Sequence, residues 1–189
     1  IRILRRIMSM PNAKMVLGNH EYMMLRALGH PYDPYGTTSE LIQEDAMELW
    51  YHNGGKVTHD HWKHLRKALR REIIEYLLAL PLNIDIDVNG TAYKLVHGAP
   101  MDEYMNYPGH PDPTHFAVWK RWRRYDTFSG DFTMIFGHTP TKYYQDNVPM
   151  ELWFGNHCIG IDCGSGYSEE GPNRKFGRLA CLRLDDGKV

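Results

Sequence analysis

The sequence has little of what membrane, secreted and nucleic-acid-binding chains require. No long apolar run occurs in it, whereas a membrane-spanning helix needs about 20 consecutive apolar residues, so no span and no membrane partner are expected. Lys and Arg number 22 against 23 Asp and Glu, for a net charge of -1. That balance gives no electrostatic footprint for nucleic acid or for anionic lipid. Only three cysteines are present, Cys158, Cys163 and Cys181. Odd in number and clustered late in apolar surroundings, they exclude a disulfide framework and point to reduced, buried thiols and a cytoplasmic protein. No signal-peptide pattern opens the chain. The Gly164-Ser165-Gly166 stretch does not open a helix, as a phosphate-cradling P-loop must. His59, His61 and His64 are close in sequence, but no cysteine or carboxylate set completes a tetrahedral site with them, so they read as a solvated helix start.

What the chain does have is apolar patterning. With 42% hydrophobic residues in 189, it reads as one domain over residues 1–189, able to bury about 70% of the surface its unfolded form exposes. Helical spacing is expected over residues 1–8, ended by Pro11-Asn12, then over 21–28, 39–52 with Ser39 as a possible N-cap, 60–80 and 114–124. The helices of residues 39–80 read as a cap beside a sheet. Residues 29–36 and 100–113 read as loops. Strands are expected at residues 14–17, 84–88, 92–96, 133–136, 158–162 and 179–184, with Asn89-Gly90 as a hairpin turn. The fold class is α/β.

Three strings carry the chemistry: Gly18-Asn19-His20-Glu21, His97-Gly98 and Gly137-His138-Thr139-Pro140. Each follows an expected strand, and loops at the carboxyl ends of neighbouring strands converge on one crevice in an α/β sheet. Asn19, His97 and His138 would bring an amide oxygen and two imidazoles together, a set suited to Mn, Zn or Fe. His20 would stand at the rim, able to protonate a leaving group. Singly, Asn19-His20 reads as a helix N-cap followed by a surface histidine, and either later histidine as a residue in a turn; their joint occurrence favours ligands. Arg121 suits bidentate phosphate binding, although Arg121, Arg123 and Arg124 also fit a solvated basic helix face. Tyr104, Tyr107 and Tyr167 fit either a substrate entrance or ordinary loop aromatics.

In this order the three strings resemble the calcineurin-like metallophosphoesterases, in their phosphoprotein phosphatase branch. Further likeness lies in Trp50 with Asn53-Gly54-Gly55, Leu80-Pro81-Leu82, Trp119-Lys120-Arg121, Ile161-Asp162-Cys163-Gly164 and Gly177-Arg178-Leu179-Ala180-Cys181-Leu182. The resemblance implies a two-sheet α/β/β/α sandwich and a pair of divalent ions, Mn first, with Fe or Zn as alternatives. Asn19, His97 and His138 would be ligands of the second metal, His20 the general acid and Arg121 a grip on substrate phosphate. The substrate would be a phosphorylated protein or a small phosphate ester, with a dinucleoside tetraphosphate or a non-catalytic metal- or partner-binding role as alternatives. The family's Gly-Asp-x-His-Gly and Gly-Asp-x-x-Asp-Arg-Gly strings do not occur here, and position 17 is Leu where this branch carries Arg. The resemblance therefore implies a chain shortened before its first metal motifs, inactive alone and expected to self-associate through the strand edge so left open.

Overall fold

The computed structural model describes residues 1–32, 45–167 and 176–189. The expected N-cap Ser39, residues 39–44 of the helix it was to open and half of the loop at residues 29–36 lie outside them. The chain divides into two compact units, Ile1–Pro81 and Leu82–Val189. Its class is mixed α/β.

The first unit is helical: α1 (Arg2–Met8), α2 (Asn19–Ala27), α3 (Ala46–His52), α4 (Gly55–Trp62) and α5 (Lys67–Leu78). Its buried apolar residues include Leu17, Met23, Leu25, Trp50, Ile73 and Leu77. The Asn53-Gly54-Gly55 string has a packing reason. Gly54 takes a left-handed φ of 87°, which glycine adopts without steric cost. A Cβ on Gly55 would lie 2.3 Å from the Trp50 ring, so the indole requires bare backbone there.

Two expectations fail in this unit. The expected strand at residues 14–17 has no ladder; Leu17 N–H donates to Pro81 O, and no described strand lies in this unit to pair with it. The helix at residues 60–80 is two helices. The chain becomes extended at Arg66 (ψ 148°), and the Arg70 guanidinium donates to Leu65 O at 3.1 Å and to Lys63 O at 2.5 Å. Those bonds satisfy carbonyls that the break leaves without helical partners, which apolar spacing does not reveal.

The second unit carries the sheet: β1 (Asn83–Val88), β2 (Thr91–Val96), β3 (Thr133–Phe136), β4 (Trp153–Gly155) and β5 (Cys158–Gly160), in the order β1-β2-β3-β5-β4. β1 and β2 form the expected hairpin, with Val88 opposite Thr91. Asn89 and Gly90 both have positive φ, 53° and 80°, the requirement of a two-residue turn that matches strand twist. β2, β3 and β5 run parallel, and the edges are antiparallel. Between β2 and β3 lie a 3₁₀ turn (Met101–Asn106) and α6 (Pro113–Trp119). The Asp112 side chain caps α6 by accepting from His115 N–H at 2.7 Å.

Val96, Phe116, Trp122, Met134, Phe136 and Tyr144 form the core here. The expected helix at residues 114–124 stops at Trp119, and Lys120 is extended (ψ 124°). Beyond that break Trp122 lies in the core, 1% exposed, and the end of α6 is fixed from outside the helix, where Gly98 and Ala99 N–H bond Ala117 O. Residues 179–184 form no strand. Their chain turns back at Leu184–Asp186, Arg183 N–H donates to Lys188 O, and the Arg183 guanidinium grips Asp186. Cys158 and Cys163 are buried as expected, but Cys181 is exposed.

The loop before α6 is held by one carboxylate. Glu103, 5% exposed, accepts from the Ser129 N–H and hydroxyl and from the Asn106 amide, each at 2.7 Å. Burial by itself would raise its pKa, but these bonds outweigh it and hold the carboxyl below its ordinary 4.5. A group whose pKa is lowered by folding contributes stability above its unfolded value and loses it as pH falls through the folded value. Melting temperatures taken from about pH 6 to about pH 3 should therefore fall more steeply for the native protein than for Glu103→Gln, which has no carboxylate to titrate. Parallel curves would show that Glu103 does not couple folding to acid.

Candidate functional site

The parallel strands of the second unit end together, and hydrogen bonds join the loops that follow. Gly137 N–H donates to His97 O at 2.9 Å, Ile161 N–H to Phe136 O at 2.9 Å and Thr141 N–H to Asp162 O at 2.9 Å. His97 leaves β2 one residue beyond its end and His138 leaves β3 two residues beyond, from strands in which Val96 and Phe136 stand opposite each other. Their rings meet, with His97 Nε2 3.2 Å from His138 Nδ1 and centroids 5.0 Å apart.

The backbone beneath His138 is in an unusual state. Its φ is 61°, and Thr139 N–H donates to Gly137 O at 2.6 Å. A three-residue turn closed in this way around a positive φ is the rare, strained form of γ-turn. A non-glycine residue held so costs on the order of 1–3 kcal/mol and persists only where its surroundings enforce it. Arg121 is one enforcer, donating from Nη1 to His138 O at 3.0 Å. Trp119 is another, its ring set edge-on to the imidazole with centroids 5.9 Å apart.

Gly98 sets the distance between the β2 end and α6. Its N–H donates to Ala117 O at 2.9 Å, and a Cβ there would lie 2.7 Å from Lys120 O and 2.9 Å from Ala117 O. The His97-Gly98 string thus combines a side chain for chemistry with a position where the α6 end closes on bare backbone. Beyond α6, Trp122 is buried and Arg121 and Arg123 are exposed. Tyr144, itself buried, donates its hydroxyl to Trp122 O. Burial pushes the Tyr144 phenol up to about 12, so it remains a donor at any physiological pH. Lys120 pairs with Asp126 at 2.7 Å, both largely buried.

Asn19 and His20 belong to the other unit. Asn19 is not an N-cap, because Gly18 takes that position. It stands in the first turn of α2, buried, with His20 exposed beside it. His20 lines a pocket of about 250 Å³ with Glu21 and the apolar Ile7, Met24, Trp50 and Leu77. The structure therefore brings His97, His138 and Arg121 together within one unit, and sets Asn19 and His20 side by side within the other.

Sequence reading missed two features. Asp162, past the end of the third parallel strand, accepts from Gly164 N–H at 3.0 Å through Oδ1; its position after an apolar strand was the available signal. His110 and His115 face each other through Nδ1 atoms 3.1 Å apart. Burial, aided by the charge of Lys120, lowers the His110 pKa. His115 also stacks on Trp119. Tyr104 and Tyr107 pack on Phe116 instead of standing free in a loop. His59 bonds the Tyr51 hydroxyl, and Asp60 is paired with Lys56 and Lys63.

The contact between the two imidazoles is a hydrogen bond whose donor depends on tautomer, and its length can also be compared with the spacing of two nitrogens on one ion. With metal–nitrogen bonds of about 2.0–2.1 Å, two ligating nitrogens stand about 2.9 Å apart at a right angle and about 3.3 Å apart at the tetrahedral angle. The observed 3.2 Å lies between those values. Among the described residues no group of three or more His, Cys, Asp and Glu side chains converges as a metal site, so within this unit the pair would supply two ligands. No helix among the described residues is long and apolar enough to cross a membrane. No family model matches the sequence, and no curated protein matches it closely.

Gly98→Ala should cost about 1–3 kcal/mol in denaturant unfolding, because a methyl cannot enter without moving the α6 end. Gly166→Ala is the control, since among the described residues nothing lies within 4 Å of the added carbon. Equal stabilities for the two variants would show that Gly98 is not a spacing constraint.

Proposed function

We propose that the chain is a metal-dependent phosphoesterase of the calcineurin-like, two-sheet sandwich type, acting on phosphoserine or phosphothreonine in proteins. The observation that carries this reading is the 3.2 Å approach of His97 Nε2 and His138 Nδ1 at the ends of adjacent parallel strands. It is supported by an arginine bonded to the backbone of one of those histidines and by the order of the three motif strings.

Divalent ions, Mn first and Fe or Zn as alternatives, would be held in the second unit by His97 and His138. Bound there, they would supply Lewis acidity toward phosphate and a nucleophilic hydroxide at neutral pH. The remaining work falls to the chain. Arg121 gives one of its five donors to His138 O, and its planar fork suits the equatorial oxygens of a phosphoryl group. That shared arginine ties phosphate position to ligand position. Contacts with His97 and Trp119 hold the His138 ring in place, which would reduce reorganisation when a substrate arrives. His20, exposed at the start of α2, would protonate the leaving serine or threonine oxygen. An alkoxide is a poor leaving group, and general acid catalysis contributes about 10²–10⁴-fold. Asn19, in the first unit, would offer an ion a neutral amide oxygen, which leaves it more electrophilic than another carboxylate would.

Two measurements test this reading. Calorimetric titration with Mn or Zn should give binding that His97→Ala and His138→Ala each abolish or weaken at least tenfold, without change in the far-ultraviolet spectrum. Failure of the native chain to bind either ion would overturn the metal site. In a preparation that hydrolyses phosphopeptide, His20→Asn should lower kcat by about 10²–10⁴ with metal content unchanged, and by much less for p-nitrophenyl phosphate, whose leaving group needs little protonation. Loss of metal with activity would make His20 a ligand instead. Products separate the proposed activity from its closest alternative: inorganic phosphate from a phosphopeptide, or a nucleoside diphosphate from a dinucleoside tetraphosphate.

A further inference from the structure

Immediately beyond Arg121 the chain does something that neither motif order nor metal chemistry requires. Arg121, Arg123 and Arg124 line one pocket of about 580 Å³ together with Tyr125, Thr139 and Tyr143. A basic helix face would have spread these arginines around a cylinder. The chain is instead extended at Lys120, and Trp122 is fixed in the core with its carbonyl bonded to the Tyr144 hydroxyl. Burying Trp122 between two exposed arginines presents both guanidinium groups on the solvent side. No acidic side chain lines the pocket among the described residues. The nearby Asp126 is paired with Lys120 and accepts from Arg123 N–H. The positive charge of the pocket is therefore not neutralised from within.

The pocket adjoins the imidazole pair through two of its own members. Thr139 closes the turn around His138, and Arg121 bonds the His138 carbonyl. An anion seated against Arg123 and Arg124 would thus belong to the same ligand as a phosphate held at Arg121. The site is open, since Tyr125 is 75% and Tyr143 66% exposed. Sites for small molecules commonly bury about 70–90% of the ligand. An open basic surface fits a peptide running across it, and clusters of arginine read acidic or phosphorylated side chains in such peptides.

We propose that this pocket is a specificity subsite which reads a second anionic side chain, a carboxylate or a second phosphate, on the peptide whose phosphoserine or phosphothreonine is the substrate. The inference rests on the phosphoesterase reading for its biological sense, but its test needs neither turnover nor metal. Fluorescence anisotropy is measured with the full chain and three labelled peptides alike except at positions flanking one unphosphorylated serine: glutamate, glutamine or phosphoserine. The glutamate or the phosphoserine peptide should bind about tenfold or more tightly than the glutamine peptide, through charge-assisted bonds. Which of the two does so identifies the anion read. R123Q/R124Q should erase the preference, while R123K/R124K, which keeps the charge but not the planar fork, should retain part of it. Melting curves confirm that the variants fold, and weakening of the native chain's preference by added salt gives a readout independent of them.

Equal binding of all three peptides by the native chain would overturn the proposal, as would a preference that survives R123Q/R124Q. Tighter binding of adenosine diphosphate than of either acidic peptide at the same residues would overturn it in favour of a nucleotide pocket. Loss of metal binding in His97→Ala with peptide preference intact leaves the subsite standing, whereas absence of metal binding in the native chain overturns the phosphoesterase reading alone.

Discussion

The parallel pairing of β2 with β3 is the constraint on which the arrangement of the second unit's histidines and arginines depends. With Val96 opposite Phe136, the residues after both strands emerge at the same end of the sheet. His97 and the Gly137-His138 pair can then meet. A slip of one residue would turn every side chain of a strand to the other face, and the two imidazoles would separate. The buried side of these strands guards against that slip, because Val96, Met134 and Phe136 share one core with Phe116 and Trp122.

Around that register the loops are held by hydrogen bonds that double as positioning devices. Gly98 lets α6 close on the β2 end, which brings Trp119 and Arg121 to His138. The helix ends at Trp119, Lys120 is extended, and Trp122 lies in the core. The segment that packs into the core is therefore also the one that carries three arginines. Stability and site geometry come from one set of contacts, so substitutions in the core of this unit would be expected to move the site as well.

The first unit has a different logic. Its helices break where side chains satisfy backbone groups, as Arg70 does beyond α4, or where a ring lies against glycine, as Trp50 does at Gly55. Asn19 and His20 occupy the first turn of a helix, where backbone N–H groups lack helical partners and the helix dipole favours negative charge. That placement arises because Gly18, not Asn19, takes the cap position.

What the sequence determined by itself was local and periodic. The alternation of residues 84–88 with the Asn89-Gly90 pair specified a hairpin, and the apolar run at residues 133–136 specified a strand, because strand period and turn conformation depend on neighbouring residues alone. The pairing of His97 with His138 was suggested by motif order, and its geometry needed the parallel register. The tertiary structure alone decided that residues 14–17 and 179–184 find no ladder, because a strand exists only with a partner. It alone decided that residues 114–124 cease to be helical at Trp119. Helical propensity in that stretch is a matter of tenths of a kcal/mol per residue; burying an aromatic side chain such as Trp122 contributes about 1.5–3 kcal/mol or more. Energies of that size let tertiary contacts set where a helix ends, and beyond this end Trp122 lies in the core and Arg121, Arg123 and Arg124 line one pocket.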